Sequence, residues 1–175
     1  MVLNVFTVSS FSYQRAISGV LVHRGILSLV VKVHFKRLDV NAVMPTYAHD
    51  TDAGADLSCL EDFTLKPGER KLIRTGIAIS LPVGFVGLVH PRSGLANKNG
   101  ISIVNAPGTV DADYRGELMI NLINLDQTET FTAKAGSRIA QLVIQEVRFA
   151  EFLEVEELDE TKRGNNGFGS TGVSN

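Results

Sequence analysis

The amino-acid sequence predicts an all-β domain, and three observations carry that prediction. Short runs of β-branched and aromatic residues recur from Val31 onward, turn residues separate most of them, and a single stretch has the flanks of a helix. The turns are marked by Pro67-Gly68, Pro82 with Gly84, Pro107-Gly108 and Ala135-Gly136. Many short strands at near-regular spacing specify a sandwich, jelly roll or small barrel. With 175 residues, 44% of them hydrophobic, the chain can fill one core and gives no sign of two independently folding halves.

Val31, Val33 and Phe35 alternate with Lys32, His34 and Lys36, the period of a strand with one buried face, and are read as the first strand. Further strands are expected at Ala55 to Leu60, Glu69 to Thr75, Gly76 to Leu81, Phe85 to Val89, Ser102 to Val104, Leu118 to Leu125, Glu129 to Ala133, Ile139 to Ile144 and Val147 to Leu153. The helix is Ser93 to Asn99, with Ser93 placed to cap it and Asn99-Gly100 to stop it. Lys162 to Asn175 is glycine-rich and almost devoid of apolar residues apart from Phe168 and Val173, so it reads as a flexible arm. The resulting division is residues 1–30 as an N-terminal extension of unknown role, 31–158 as the domain and 159–175 as the arm.

A net charge of −2 argues against a protein that holds nucleic acid mainly by electrostatics, although a small anionic ligand remains open. Cys59 is the sole cysteine, which excludes a disulfide or cysteine metal cluster within the chain and makes a reducing compartment, the cytoplasm, the simplest expectation. It reads as a buried, small apolar residue. All nineteen acids lie beyond residue 38, whereas Arg15, Arg24, Lys32, Lys36 and Arg37 lie within the first thirty-eight. An acid-free, serine-bearing N-terminus leaves three readings: an upstream extension without function, an organelle transit peptide, or a partner-binding arm. Its longest apolar stretch, Ile26 to Val31, is far below the roughly 18 residues needed to span a membrane.

The densest chemistry lies between Asn105 and Glu117, where a tight turn, Asp111, Asp113, Tyr114 and Arg115 share one connection between two β-type runs. This reads as a β-hairpin aiming polar groups outward, with Asp111 and Asp113 pointing the same way by period-two geometry. A carboxylate there can serve as general base on a water, or simply close the turn. In Pro91 to Ala96, Arg92, Ser93 and Gly94 meet at the helix start and offer a cation, a hydroxyl, exposed N–H groups and close backbone approach to phosphate oxygens. The same residues also make an ordinary strand-to-helix turn. Asp50, Asp52 and Asp56 precede or enter a strand and can hold a hydrated Mg²⁺, which needs few direct protein ligands, but acidic turns are common. His49 and His90 lack a zinc spacing. On the arm, Arg163, Ser170 and Thr171 are donors and Phe168 a stacking plate, or the tail is merely solvated.

Taken together and in order, these segments resemble the five motifs of the trimeric dUTPases. The matching stretches are Asp52-Ala-Gly-Ala-Asp56-Leu, Pro91-Arg-Ser-Gly-Leu-Ala96, Asn105 through Glu117, Arg138-Ile-Ala-Gln-Leu-Val143 and Arg163 through Gly172, spanning roughly residues 31–172. The resemblance implies an all-β, jelly-roll-like barrel or sandwich of the β-clip kind, with one short helix and a flexible C-terminal arm. It also implies a homotrimer with shared active sites, the arm reaching a neighbour, and hydrolysis of dUTP to dUMP and pyrophosphate. Catalytic roles fall to Asp111 as general base and to Asp56, which holds Mg²⁺ through water. Asn105, Gly108, Thr109 and Val110 would read uracil, and Tyr114 would pack under deoxyribose, rejecting UTP. Arg92, Ser93, Gly94 and Gln141 would hold the α- and β-phosphates. Arg163, Ser170 and Thr171 would take the γ-phosphate, with Phe168 and Gly169 over the base. Arg115 and Glu117 brace the hairpin or touch substrate. The resemblance implies no membrane and no direct nucleic-acid partner. Two rivals remain: a dCTP deaminase, which shares the fold but carries Arg-Ser-Ser where this chain has Arg92-Ser93-Gly94, and a catalytically silent binding module.

Overall fold

The computed structural model describes residues 20–23 and 26–165, the first eight of these in backbone only. It opens with an antiparallel hairpin of β1 (Val20–His23) and β2 (Ile26–Leu29), ahead of the strand that the sequence places first. That strand, β3 (His34–Arg37), starts three residues later than the alternation from Val31, yet Val33 and Phe35 do face the core. There follow β4 (Ala55–Ser58), β5 (Phe63–Leu65), β6 (Arg70–Arg74), β7 (Ile77–Ser80) and β8 (Phe85–His90). After helix α1 (Ser93–Asn99) come β9 (Ile101–Ile103), β10 (Gly108–Val110), β11 (Met119–Asn124), β12 (Phe131–Ala133) and β13 (Arg138–Glu146).

Two sheets dominate, in strand order β10-β8-β13-β4 and β6-β11-β9, with all their pairings antiparallel; the two-stranded ribbons β12-β5 and β3-β7 complete the wall. One cluster of buried side chains joins them: Leu57, Val89, Val110 and Leu142 from the first sheet meet Ile73, Ile101, Ile120 and Leu122 from the second. Each such side chain, fully buried, contributes about 1.5–3 kcal/mol. This is the expected all-β sandwich with a single short helix among the described residues. Cys59 is buried and its thiol donates to the Lys134 carbonyl at 3.1 Å; desolvation pushes its pKa up, as befits an inert core thiol.

Three local expectations are corrected. Arg92, not Ser93, is the N-cap, in extended conformation, because the chain leaves β8 in that geometry and turns helical one residue later; Gly100, at φ 64°, closes the helix as expected. The segment Val147 to Leu153 forms no strand: only the Val147 amide is tied down, to Gly84, and Phe149, Phe152 and Leu153 stand exposed without a ladder partner. The connection from β9 to β11 is more than a hairpin loop, since β10 within it joins the other sheet, and Asp111 to Tyr114 then form a turn closed by the Tyr114 amide on the Asp111 carbonyl at 3.1 Å. A turn lacks period-two geometry, so Asp111 and Asp113 are not strand neighbours on one face.

Asp126 anchors the turn after β11. Its Oδ1 accepts the Thr128 and Glu129 amides, both at 2.8 Å, while its own amide donates to Asn124 Oδ1 at 3.0 Å. The Glu129 bond first, then that of Thr128, holds its carboxyl below the usual range. A lowered folded pKa stabilises above the ordinary value of about 3.9 and is lost as pH falls through the folded value. Asp126→Ala is therefore expected to lower Tm at about pH 6 and to match the parent chain more closely at about pH 3. A Tm gap independent of pH would show that the charge contributes nothing.

Candidate active site

A cleft of about 290 Å³ opens between the two sheets beside β10, lined by Val89, Ile103, Asn105, Gly108 to Asp111, Tyr114 and Met119 among others. Gly108 lets Asn105 approach: a Cβ there would lie 3.4 Å from Asn105 Nδ2 and 3.5 Å from Val89 Cβ. Gly108 and Val110 are buried and Thr109 is exposed, so the β10 backbone forms one edge of the cleft. Asp111 stands exposed at its mouth, directly after the strand.

The rest of the loop braces that arrangement. The Arg115 guanidinium donates to the Ala112 and Tyr114 carbonyls at 2.6 and 2.8 Å, fixing the turn that carries Asp111. The Tyr114 hydroxyl donates to the Glu117 carbonyl at 3.0 Å. Glu117 accepts the Gly76 amide at 2.8 Å and Arg74 Nε at 3.1 Å, and this carboxylate holds the Arg74 pKa above its ordinary value. Of the two readings left open for Arg115 and Glu117, the contacts within the chain are those of braces.

A second group lies on β4, β8 and β13. The Asp56 carboxylate, 13% exposed, is gripped by Arg92 Nε at 3.0 Å and Arg138 Nη1 at 2.9 Å. Arg92 Nη1 also donates to the Arg138 carbonyl at 3.0 Å, and Gln141 Nε2 to the Pro91 carbonyl at 3.0 Å. A Cβ on Gly54 would strike Gln141 Oε1 at 2.8 Å, so the small residue makes room for the amide. Two guanidinium groups against one carboxylate leave one positive charge in excess, a setting for anionic oxygens. Ser93 and Gly94 are exposed beside it, and a Cβ on Gly94 would meet nothing within 4 Å. In the sequence Arg138 is only the first residue of a motif. Its role depends on a bulge between Arg138 and Ala140 that brings it against Asp56, and only the folded register shows this.

These two groups face opposite ways. Asp56, Gln141 and His90 stand side by side across β4, β13 and β8, and the next row is Ala55, Leu142, Val89 and Gly108. The second row is buried and supplies Val89 and Gly108 to the cleft, so by strand alternation the first row lies on the sheet's outer face. Asn105, Gly108, Thr109, Val110, Asp111 and Tyr114 are brought together around the cleft, and Asp56, Arg92 and Gln141 by contacts on the sheet's outer face, with Ser93 and Gly94 next to Arg92. Arg163 lies at the exposed end of the described chain; Phe168, Gly169, Ser170 and Thr171 fall outside the described residues.

Among the described residues no three His, Cys, Asp or Glu side chains converge on a point. Asp56 lies between the Arg92 and Arg138 guanidinium groups. One carboxylate suits a Mg²⁺ that keeps its waters and arrives with phosphates.

Residues 40–172 match the family model for dUTPase. The chain belongs to the dUTPase family. The deoxyuridine 5'-triphosphate nucleotidohydrolase of Corynebacterium diphtheriae is 57% identical over 142 residues, covering 81% of this chain and 93% of that protein. That of Rhodococcus erythropolis is 58% identical over 142 residues, covering 81% and 87%. The fold is similar to a variant of the Staphylococcus bacteriophage 80alpha dUTPase solved with dUpNHpp, at TM-score 0.76 and 35% identity, over 81% of this chain and 99% of that one. A dUTPase variant from phage phi11 of S. aureus, described with a structural Mg(II) ion, aligns at TM-score 0.69 and 32% identity, over 74% and 99%. The five dUTPase motifs read in the sequence fall within the matched span, and residues 1–39 lie before it.

Proposed function

We propose that this chain hydrolyses dUTP to dUMP and pyrophosphate, limiting uracil incorporation into DNA and supplying dUMP for thymidylate synthesis, and that it works as a homotrimer. The observation that carries the reading is the cleft, which gathers Asn105, the β10 backbone, Tyr114 and Asp111 at one mouth. Asn105 and the backbone of Gly108, Thr109 and Val110 offer donors and acceptors to the uracil edge, and Tyr114 packs where a 2′-hydroxyl would clash. Asp111 accepts a proton from a water as that water's oxygen bonds to the α-phosphorus in line and the bond to the bridging oxygen of pyrophosphate breaks. Arg92, Ser93, Gly94 and Gln141 hold the α- and β-phosphates; Arg163, Ser170 and Thr171 hold the γ-phosphate, with Phe168 and Gly169 against the base. When bound, Mg²⁺ would neutralise triphosphate charge, and Asp56 would hold it through water.

Three-fold closure is inherited from the resemblance, and the reading that sites are shared between copies rests on the two half-sites. Because the cleft and the Asp56 group face opposite ways, a site needs the cleft of one copy against the outer face of another. The segment after β13 supports the same conclusion: Phe149, Phe152, Leu153, Val155 and Leu158 are more than half exposed within a strongly acidic run, leaving a strip of apolar surface for a neighbour to cover. The arm then reaches a neighbour's site. A cytoplasmic location follows from the lone buried thiol, or an organelle if residues 1–30 act as a transit peptide. No membrane or nucleic-acid partner is invoked.

Pyrophosphate release from dUTP, UTP, dTTP and dCTP, with and without Mg²⁺, tests the function. Mg²⁺-dependent conversion of dUTP alone to dUMP, by a particle of three 19.0 kDa chains, is expected. Ammonia release from dCTP would favour the deaminase, and a folded trimer without turnover the binding module.

A further inference from the structure

Gly116 has no conformational reason to be glycine. It is not among the positive-φ glycines of the chain, so its backbone is outside the left-handed region that excludes other residues. The reason is a contact: a Cβ built there would lie 2.4 Å from the Tyr114 hydroxyl oxygen, 2.6 Å from Cζ and 3.0 Å from Cε2. The phenol folds back over Gly116 and donates to the Glu117 carbonyl at 3.0 Å, while its exposed part borders the cleft.

The backbone beyond Gly116 cannot yield to relieve such a clash. The next residue is pinned through its main chain, since the Leu118 amide donates to the Ile77 carbonyl at 2.8 Å and its carbonyl accepts from the Thr75 hydroxyl, and the Glu117 carboxylate accepts the Gly76 amide at 2.8 Å and Arg74 Nε at 3.1 Å. The ring tip, by contrast, is the free end of a side chain. Any side chain at position 116 therefore moves the ring and leaves the Glu117–Leu118 backbone in place.

We propose that Gly116 is a positioning residue for sugar selectivity: its missing side chain is the slot that sets the Tyr114 ring, and Glu117, stapled to the β6–β7 turn, holds the ring there by its carbonyl. The proposal rests on the reading of Tyr114 as the group that meets deoxyribose. A ring pushed into the cleft impairs dUTP, and a ring swung out admits UTP, so either displacement narrows the preference.

The test is a double-mutant cycle of Gly116→Ala and Tyr114→Leu on the full chain, measuring kcat and KM for dUTP and UTP, with Tm and oligomeric size as checks. Gly116→Ala should fold and narrow the dUTP-over-UTP preference in kcat/KM by about tenfold or more, the scale of one misplaced contact in a specificity pocket. Added to Tyr114→Leu it should change the preference no further, because the ring it displaces is gone. An unchanged preference in Gly116→Ala, or full additivity in the double variant, overturns the proposal. If Gly116→Ala fails to fold and Tyr114→Leu does not restore it, the clash lies elsewhere and the proposal is equally overturned. A parent chain that does not hydrolyse dUTP sinks the underlying reading instead.

Discussion

Asp111→Asn is expected to bind nucleotide as the parent does while kcat falls about 10²- to 10⁴-fold, the range of a single positioned general base. The substitution is close to isosteric but gives an amide, which cannot take a proton from water. It should also spare the fold. The Asp111 side chain is exposed and makes no hydrogen bond or ion pair among the described residues; only its carbonyl is used, in the turn with Tyr114. The turn itself is held by Arg115, which the substitution leaves alone. Titration calorimetry with dUpNHpp separates the two effects. An unchanged Kd with collapsed turnover fits the base role, whereas unchanged turnover would move proton acceptance to another group.

That Asp111 was legible in sequence, and its surroundings only partly so, has a physical cause. Alternation and turn residues are local signals, and they marked most strands, the helix stop at Gly100 and the polar loop before β11. The strand β5, three residues long, is too short for any period to show, and β10 begins on the very Pro107-Gly108 pair that reads as a turn. The apolar run from Val147 looked like a strand because alternation reports a face to be buried, not whether the same chain supplies the cover. Long-range pairings left still less trace. Nothing near Glu117 announces Arg74, forty-three residues away, and Arg138 meets Asp56 only through antiparallel register and a bulge. The resemblance placed Asp56, Arg92 and Gln141 in one site, but not that Asp56 sits between two arginines, nor that the cleft faces the other way.

That pair of arginines leads to the second large effect. Arg92→Ala is expected to lower kcat/KM for dUTP by about 10²- to 10³-fold, the usual cost of removing one charged donor aimed at a reacting phosphoryl group. Stability should change little. Asp56 keeps Arg138 at 2.9 Å, so no carboxylate is left alone, and Arg92 is itself more than a quarter exposed. Asp56→Ala is the instructive contrast, because it leaves two guanidinium groups side by side without their shared anion. The planar fork also matters: Arg92 gives Nε to Asp56 and Nη1 to the Arg138 carbonyl, and still has N–H groups to offer phosphate oxygens. Lysine restores the charge but not this geometry, so Arg92→Lys should recover only part of the loss. Complete recovery would reduce Arg92 to a point charge. Full activity in Arg92→Ala would mean that the outer-face cluster is architecture and that the triphosphate is held elsewhere, which would also remove the reason for joining one copy's cleft to another copy's outer face.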